Sequence, residues 1–170
     1  MKEIELSSRT DESVSRLRDY FFYLVIFMAI ISIISVRRSY VLAPPYAVSA
    51  YLIVFQRKTR YSKRWSIAFS YLFVILSSYA IHILLAQSLA GMLVNVVLIS
   101  AFITFSGFAH PPAIALTIFS YIEGSITDFA ISTLLALAIL ISSSLLIDFL
   151  RHLVITVNLP NKLIQLLNLQ

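Results

Sequence analysis

The sequence predicts an all-α, polytopic helical membrane protein with four full transmembrane helices, two short Pro-Pro-broken segments and an internal two-fold repeat. Three observations carry that prediction. Of 170 residues, 59% are hydrophobic and only 12% charged, with a mean hydropathy of +0.90, whereas soluble domains have about a quarter of their residues charged. Residues 20–36, 39–56, 65–122 and 129–147 contain no Asp, Glu, Lys or Arg, and together they make up two thirds of the chain. Two of those runs are interrupted at matching places, by Pro44-Pro45 and by Pro111-Pro112.

Residues 1–19 carry four basic and five acidic side chains. Val14, Leu17 and Phe21 recur at i, i+3 and i+7, so this lead-in is weakly amphipathic. The first span covers 20–36. It opens on Tyr20-Phe21-Phe22-Tyr23, aromatics suited to the headgroup level, and closes at Arg37-Arg38 with no small-residue cleavage site, which reads as a retained helix. In 39–56 the two prolines remove two backbone donors and disfavour helix at the residue before them. The helix must break there, and a half-length helix is expected to start near Tyr46. Residues 57–64 then hold five basic side chains and no acidic one, an orientation and lipid-contact signal that places this loop in the cytoplasm.

The second full span covers 65–86 and the third 88–108. Only Gln87-Ser88 separates them, so a tight antiparallel hairpin is expected. Pro111-Pro112 begins the second short segment, Glu123 and Asp128 bracket a polar turn, and 129–147 is the last full span. Asp148 and Arg151, three apart, are expected to pair locally. After Pro160, Leu163, Ile164, Leu166 and Leu167 suggest a short amphipathic helix on the membrane surface. The organisation is thus a lead-in (1–19), a membrane domain (20–150) built of repeat one (20–86) and repeat two (88–147), and a tail (151–170).

Parity ties topology to the short segments. If each crosses, each repeat has three crossings and the two are inverted; if each is re-entrant, each has two and they run parallel. Either way both termini lie on one side. With the basic loop inside, crossing segments give cytoplasmic termini and re-entrant ones external termini, and the re-entrant version also brings Arg37-Arg38 inside.

The run Phe108-Ala109-His110-Pro111-Pro112-Ala113-Ile114-Ala115-Leu116-Thr117 resembles the HPP family of integral membrane proteins, named after that tripeptide. Leu42-Ala43-Pro44-Pro45-Tyr46-Ala47-Val48-Ser49-Ala50 looks like the family's earlier element, an Ala-Pro followed by small residues. Order and spacing agree over roughly 20–150. The resemblance implies a compact four-helix membrane domain, alone or fused to cytoplasmic modules, with some members linked to nitrite transport. Those fusions would put the carboxyl terminus inside and favour crossing segments. The chain departs from the pattern in having only three glycines and no Gly-His pair in 65–71.

His110 is the most pointed residue, an ionisable group at membrane depth before a helix break. A helix starting at Pro111-Pro112 leaves amides such as those of Ile114 and Ala115 facing that site, and its dipole favours an anion. His110 would carry a proton beside that anion. The plainer reading has it capping a helix and bonding a freed carbonyl. The expected substrate pathway comprises Pro44, Pro45, Tyr46, Ser49, Asn95, His110, Pro111, Pro112, Ala113, Ile114, Ala115 and Thr117, with the anion where the short segments meet near mid-membrane. Glu123 and Asp128 form an acidic mouth or proton relay, or are simply turn and helix-start residues. Asn95 and His82 read first as interhelical hydrogen-bonding groups. His82 stands near the far end of the second span and His110 at the opposite end of the adjacent helix, on the order of 30 Å apart, too far for one haem.

Without cysteine there are no disulfides, thiolate nucleophiles or Cys-ligated metals. No hydrolase, zinc-protease or phosphate-loop motif occurs, so no enzyme activity, cofactor, metal or nucleic-acid partner is expected. The expected function is a small transporter or channel for an inorganic anion in the cell membrane, nitrite-like by the resemblance, proton-coupled through His110 and assembled as a homo-oligomer. The alternative is a non-transporting membrane scaffold or sensor subunit; a membrane redox subunit ranks behind both.

Overall fold

The computed structural model describes the backbone of residues 2–36 and 40–167 and the side chains of 13–36 and 41–153. Among them are six α-helices and no strand: α1 (Lys2–Val36), α2 (Ala43–Phe55), α3 (Arg64–Leu85), α4 (Leu89–Phe105), α5 (Pro112–Phe119) and α6 (Ile126–Leu167). Arg37-Arg38 and the side chains of the tail leucines lie outside the described residues.

With neither glycine nor proline before Val36, nothing interrupts α1, and the lead-in and first span form one helix. The lead-in stripe faces outward, for Val14, Leu17 and Phe21 are all more than 60% exposed. The break near the first proline pair falls earlier than expected. Pro44 and Pro45 lie in the first turn of α2, where a missing N–H costs nothing and the fixed φ suits a helix. The prolines therefore begin this helix at Ala43, not near Tyr46, and a short 3-10 turn at Tyr40–Leu42 precedes it.

α3 and α4 form the expected hairpin. Ala86 turns the chain at φ 54°, Ser88 caps α4 by accepting the Gly91 amide at 3.1 Å, and a Cβ on Gly91 would stand 3.2 Å from the Ala86 carbonyl. α4 ends where Gly107 adopts φ 78°, a left-handed helix exit. α6 is unbroken through Pro160 to Leu167, so 151–167 continues the last span's helix as a backbone element.

Ion pairs and hydrogen bonds identify the two ends of the bundle. Asp148 pairs with Arg57 and Arg64, and Arg151 with Asp19 at 3.0 Å. The local Asp148–Arg151 pair expected from their spacing is replaced by these long-range ones. Together they bring the start of the apolar part of α1, the α2–α3 loop and the later part of α6 to one basic end. At the opposite end Gln87 Nε2 donates to the carbonyls of Tyr121 and Glu123 at 2.7 and 3.0 Å. Every helix consequently runs from one end toward the other, α2 and α5 included.

Among the described residues three helical stretches are long and apolar enough to cross a membrane: Ser13–Val36, Arg64–Leu85 and Ile126–Leu153. α4, with 17 residues, and α2, with 13, are shorter apolar helices of about 25 and 20 Å. Side-chain distribution agrees with a lipid surround. Met28, Leu76, Ile83, Leu84, Val97 and Phe105 are exposed, while Ser49, Ser70, Ser78, Asn95, His110, Thr117, Ser120 and Thr133 are buried together with a core of Ile30, Ile34, Ile67, Leu116, Phe129 and Leu140. In water such an outer surface would aggregate; in hydrocarbon it is the ordinary one.

Candidate functional site

α3 carries a polar stripe. Ser66, Ser70, Tyr71, Ser77 and Ser78 recur at helical spacing and all are buried. Each polar group must find its bond inside the protein, since hydrocarbon offers none. Two clusters form along this stripe, one near each end.

The first cluster is centred on His110, which has no exposed surface. Its Nδ1 lies 2.7 Å from the carbonyl oxygen of Tyr61. A carbonyl only accepts, so Nδ1 carries a proton and donates. Its Nε2 lies 2.9 Å from Ser49 Oγ, which also meets Tyr71 Oη at 2.5 Å and the Pro45 carbonyl at 2.9 Å. Tyr71 packs edge-on against the imidazole, with centroids 5.3 Å apart. Next to it, Ser70 Oγ donates to the Phe108 carbonyl at 2.7 Å, holding the loop that carries His110. Tyr46 packs against Tyr71, and its hydroxyl meets Thr133 Oγ1 of α6 at 2.9 Å. α2, α3, α6 and the α4–α5 loop thus converge on one point.

Ser49 has one proton and three neighbours able to receive or supply one, which defines two arrangements. With neutral His110, Ser49 donates to Nε2 and accepts from Tyr71. With a second proton on His110, Nε2 donates to Ser49, and Ser49 turns its proton to the Pro45 carbonyl. Both charge states leave every ring N–H bonded.

Counting six residues back from Phe55 to Ser49, and seven forward from Arg64 to Tyr71, puts this cluster about 10 Å inside the basic end. It sits nearer that end than the expected mid-membrane position. Of the expected amide donors, Ile114 N is engaged with the Pro111 carbonyl, and the neighbouring Ala113 N with the His110 carbonyl, both at 3.0 Å. Pro112, Ala113 and Thr117 are buried in α5, Ala115 is half-buried and Pro111 exposed. Thr117 returns its hydroxyl to the Ala113 carbonyl at 2.9 Å.

The second cluster lies toward the other end. Asn95 of α4 donates to Ser78 Oγ at 3.0 Å, and Ser120 Oγ stands 3.0 Å from the same oxygen. His82 does not bond across helices as expected: its Nδ1 meets the Ser78 carbonyl of its own helix at 2.7 Å, and its ring stacks on Tyr121 at 4.3 Å. Three buried atoms here, His82 Nε2, Asn95 Oδ1 and Tyr121 Oη, have no hydrogen-bond partner among the described residues. Burial holds the Tyr121 phenol above its usual range, with Asn95 beside it opposing. Glu123 and Asp128 belong to this end, in the α5–α6 loop and the first turn of α6, on the far side of α5 from His110.

Tyr71, Thr133, Ser78 and Ser120 were not among the candidate residues. The signal that finds three of them is the serine and tyrosine spacing on α3 and its partner at the end of α5; Thr133 has no comparable mark. Among the described residues no group of three His, Cys, Asp or Glu stands ready for a metal. Comparison of the chain with family models, curated proteins and solved structures finds no match.

Proposed function

We propose that this protein is a small integral membrane transporter for an inorganic anion, with His110 carrying a proton alongside it. One observation carries the reading: a fully buried histidine whose hydrogen bonds fit both of its charge states, and which among the described residues has no carboxylate bonded to it. An imidazolium in an apolar interior without a counter-charge is costly. A mobile anion entering with the proton removes that cost, so proton and anion move together. The donors that would meet it are the hydroxyls of Ser49 and Tyr71 and the protonated Nε2, in place of the engaged amides of Ala113 and Ile114.

The HPP resemblance supports a nitrite-like substrate. The alternating end-to-end course of the six helices supports two inverted repeats, α1–α3 and α4–α6, with both termini on the side of the basic loop 57–64. By the excess of Lys and Arg that side is the cytoplasmic face of the cell membrane. The three unpartnered atoms of the second cluster support a pathway that continues past His110, for buried polar atoms without protein partners ordinarily hold water or a passing ligand. A homo-oligomer completes the reading.

The test is nitrite uptake into proteoliposomes with and without an imposed proton gradient. His110→Gln keeps a polar side chain but does not titrate. Wild type takes up nitrite with the gradient and the variant loses the gradient dependence. Absence of flux above empty liposomes for nitrite, nitrate, chloride and formate, from folded protein, would establish instead the scaffold reading, which draws on the fact that His110 is fully bonded within the fold.

A further inference from the structure

A cleft of about 860 Å³ opens at the basic end between the α2–α3 loop, the start of α3 and α6. Its lining has two chemically distinct parts. Arg57, Lys58, Lys63, Arg64 and Arg151 supply five cations against the single carboxylate of Asp148. Ile53, Ala68, Ile141 and Leu145 supply an apolar floor, and Trp65, 71% exposed, stands at the rim where an indole suits the membrane interface.

Asp148 is already shared between Arg57 and Arg64, and Arg151 is committed to Asp19. Among the described residues no hydrogen bond or ion pair engages the side chain of Lys58 or Lys63. The cations also act on one another: burial first, and then Arg151 and Arg64 close by, hold the Arg57 guanidinium below its usual range, with Asp19 opposing. The site is short of negative charge. A free inorganic anion would answer the cations but leave the apolar floor unused, whereas a molecule with an anionic head and a hydrocarbon tail answers both. The volume falls within the range of small-molecule sites, and basic recesses between membrane helices are suited to phosphate headgroups.

We infer that this cleft is a binding site for one anionic phospholipid, its phosphate headgroup held by Lys58, Lys63 and the arginines and its acyl chain laid over Ile53, Ile141 and Leu145. The site is separate from the transport reading and is tested without measuring flux.

The experiment follows the melting midpoint of the purified full chain in zwitterionic detergent micelles during titration with phosphatidylglycerol, phosphatidylcholine or inorganic phosphate. Wild type and the double variant Lys58→Ala/Lys63→Ala are compared; neither lysine side chain bonds another described residue, so their truncation leaves the fold's ion pairs intact. Phosphatidylglycerol raises the wild-type midpoint saturably, and salt weakens the effect. The double variant needs about thirtyfold more lipid for half the shift, the equivalent of roughly 1 kcal/mol for each basic side chain near an anionic headgroup. An equal response to phosphatidylcholine, or an unchanged half-point in the double variant, overturns the proposal. So does an equal shift with inorganic phosphate at the same concentration, which would make the cleft a site for free anions.

Discussion

The two histidines inside this bundle live under opposite conditions. His110 sits in a loop with both ring nitrogens bonded to groups brought from elsewhere in the chain, Ser49 from α2 and the Tyr61 carbonyl from the α2–α3 loop. His82 sits within α3 and, among the described residues, hydrogen-bonds only the carbonyl one turn behind it and leaves Nε2 without a partner. The first arrangement fixes a position by long-range hydrogen bonds; the second reaches beyond its own helix through the stacking of its ring on Tyr121. A closed network specifies the fold and can hold or pass a proton, whereas an open one keeps bonding capacity for water or a traveller.

The largest effect that separates them belongs to Ser49→Ala. It removes the hydroxyl that joins His110, Tyr71 and the Pro45 carbonyl, and strands Nε2 in the interior. With interhelical bonds in membranes averaging about 0.6 kcal/mol and an unsatisfied buried group adding roughly 1 kcal/mol, the loss is about 2 kcal/mol. Reversible denaturation in mixed micelles reads it directly. A loss no greater than that of Asn95→Ala, which breaks one bond to Ser78, would erase the distinction between the clusters.

Tyr71→Phe comes next. The phenol donates into Ser49 at 2.5 Å, but the ring, which packs on His110 and Tyr46, is kept. Stability should fall by about 1 kcal/mol or less in the same assay. The functional consequence is sharper, because the neutral arrangement loses the donor that steers Ser49 toward Nε2. Gradient-driven uptake should weaken while the fold persists; unchanged uptake would remove Tyr71 from the pathway.

Much of this was legible in the chain. Uncharged runs of adequate length mark α1, α3 and α6 as apolar enough to span, and the two proline pairs mark the short helices. His110 stood out because an ionisable group before a break, in so apolar a chain, has few reasons to be there. Other features depend on distances that spacing does not encode. Asp148 lies three residues from Arg151, yet it pairs with Arg57 and Arg64, more than 80 positions away, because the bundle brings three segments to one end. The start of α2 differs from the expected one because proline is a helix breaker in the interior and a helix starter in the first turn, and here the 3-10 turn before Ala43 puts the pair in the first turn. Tyr71 lies in an unbroken apolar run and looks like core; its hydroxyl becomes chemistry only when α2 brings Ser49 alongside.

The smallest effect is the most discriminating one. Tyr121→Phe removes a buried hydroxyl without a partner among the described residues and keeps the ring stacked on His82. If the second cluster is dry and merely imperfect, losing an unsatisfied oxygen stabilises the fold, by up to about 1 kcal/mol. If a water bridges Tyr121 Oη to Asn95 Oδ1 and His82 Nε2, deleting one of its anchors costs a few tenths of a kcal/mol. The open-network reading expects the second sign. Denaturation midpoints of wild type and Tyr121→Phe, resolved to about 0.3 kcal/mol, distinguish the two. A clear gain in stability would make this end of the bundle a packing fault, and His110 would then stand alone as the interior's working group.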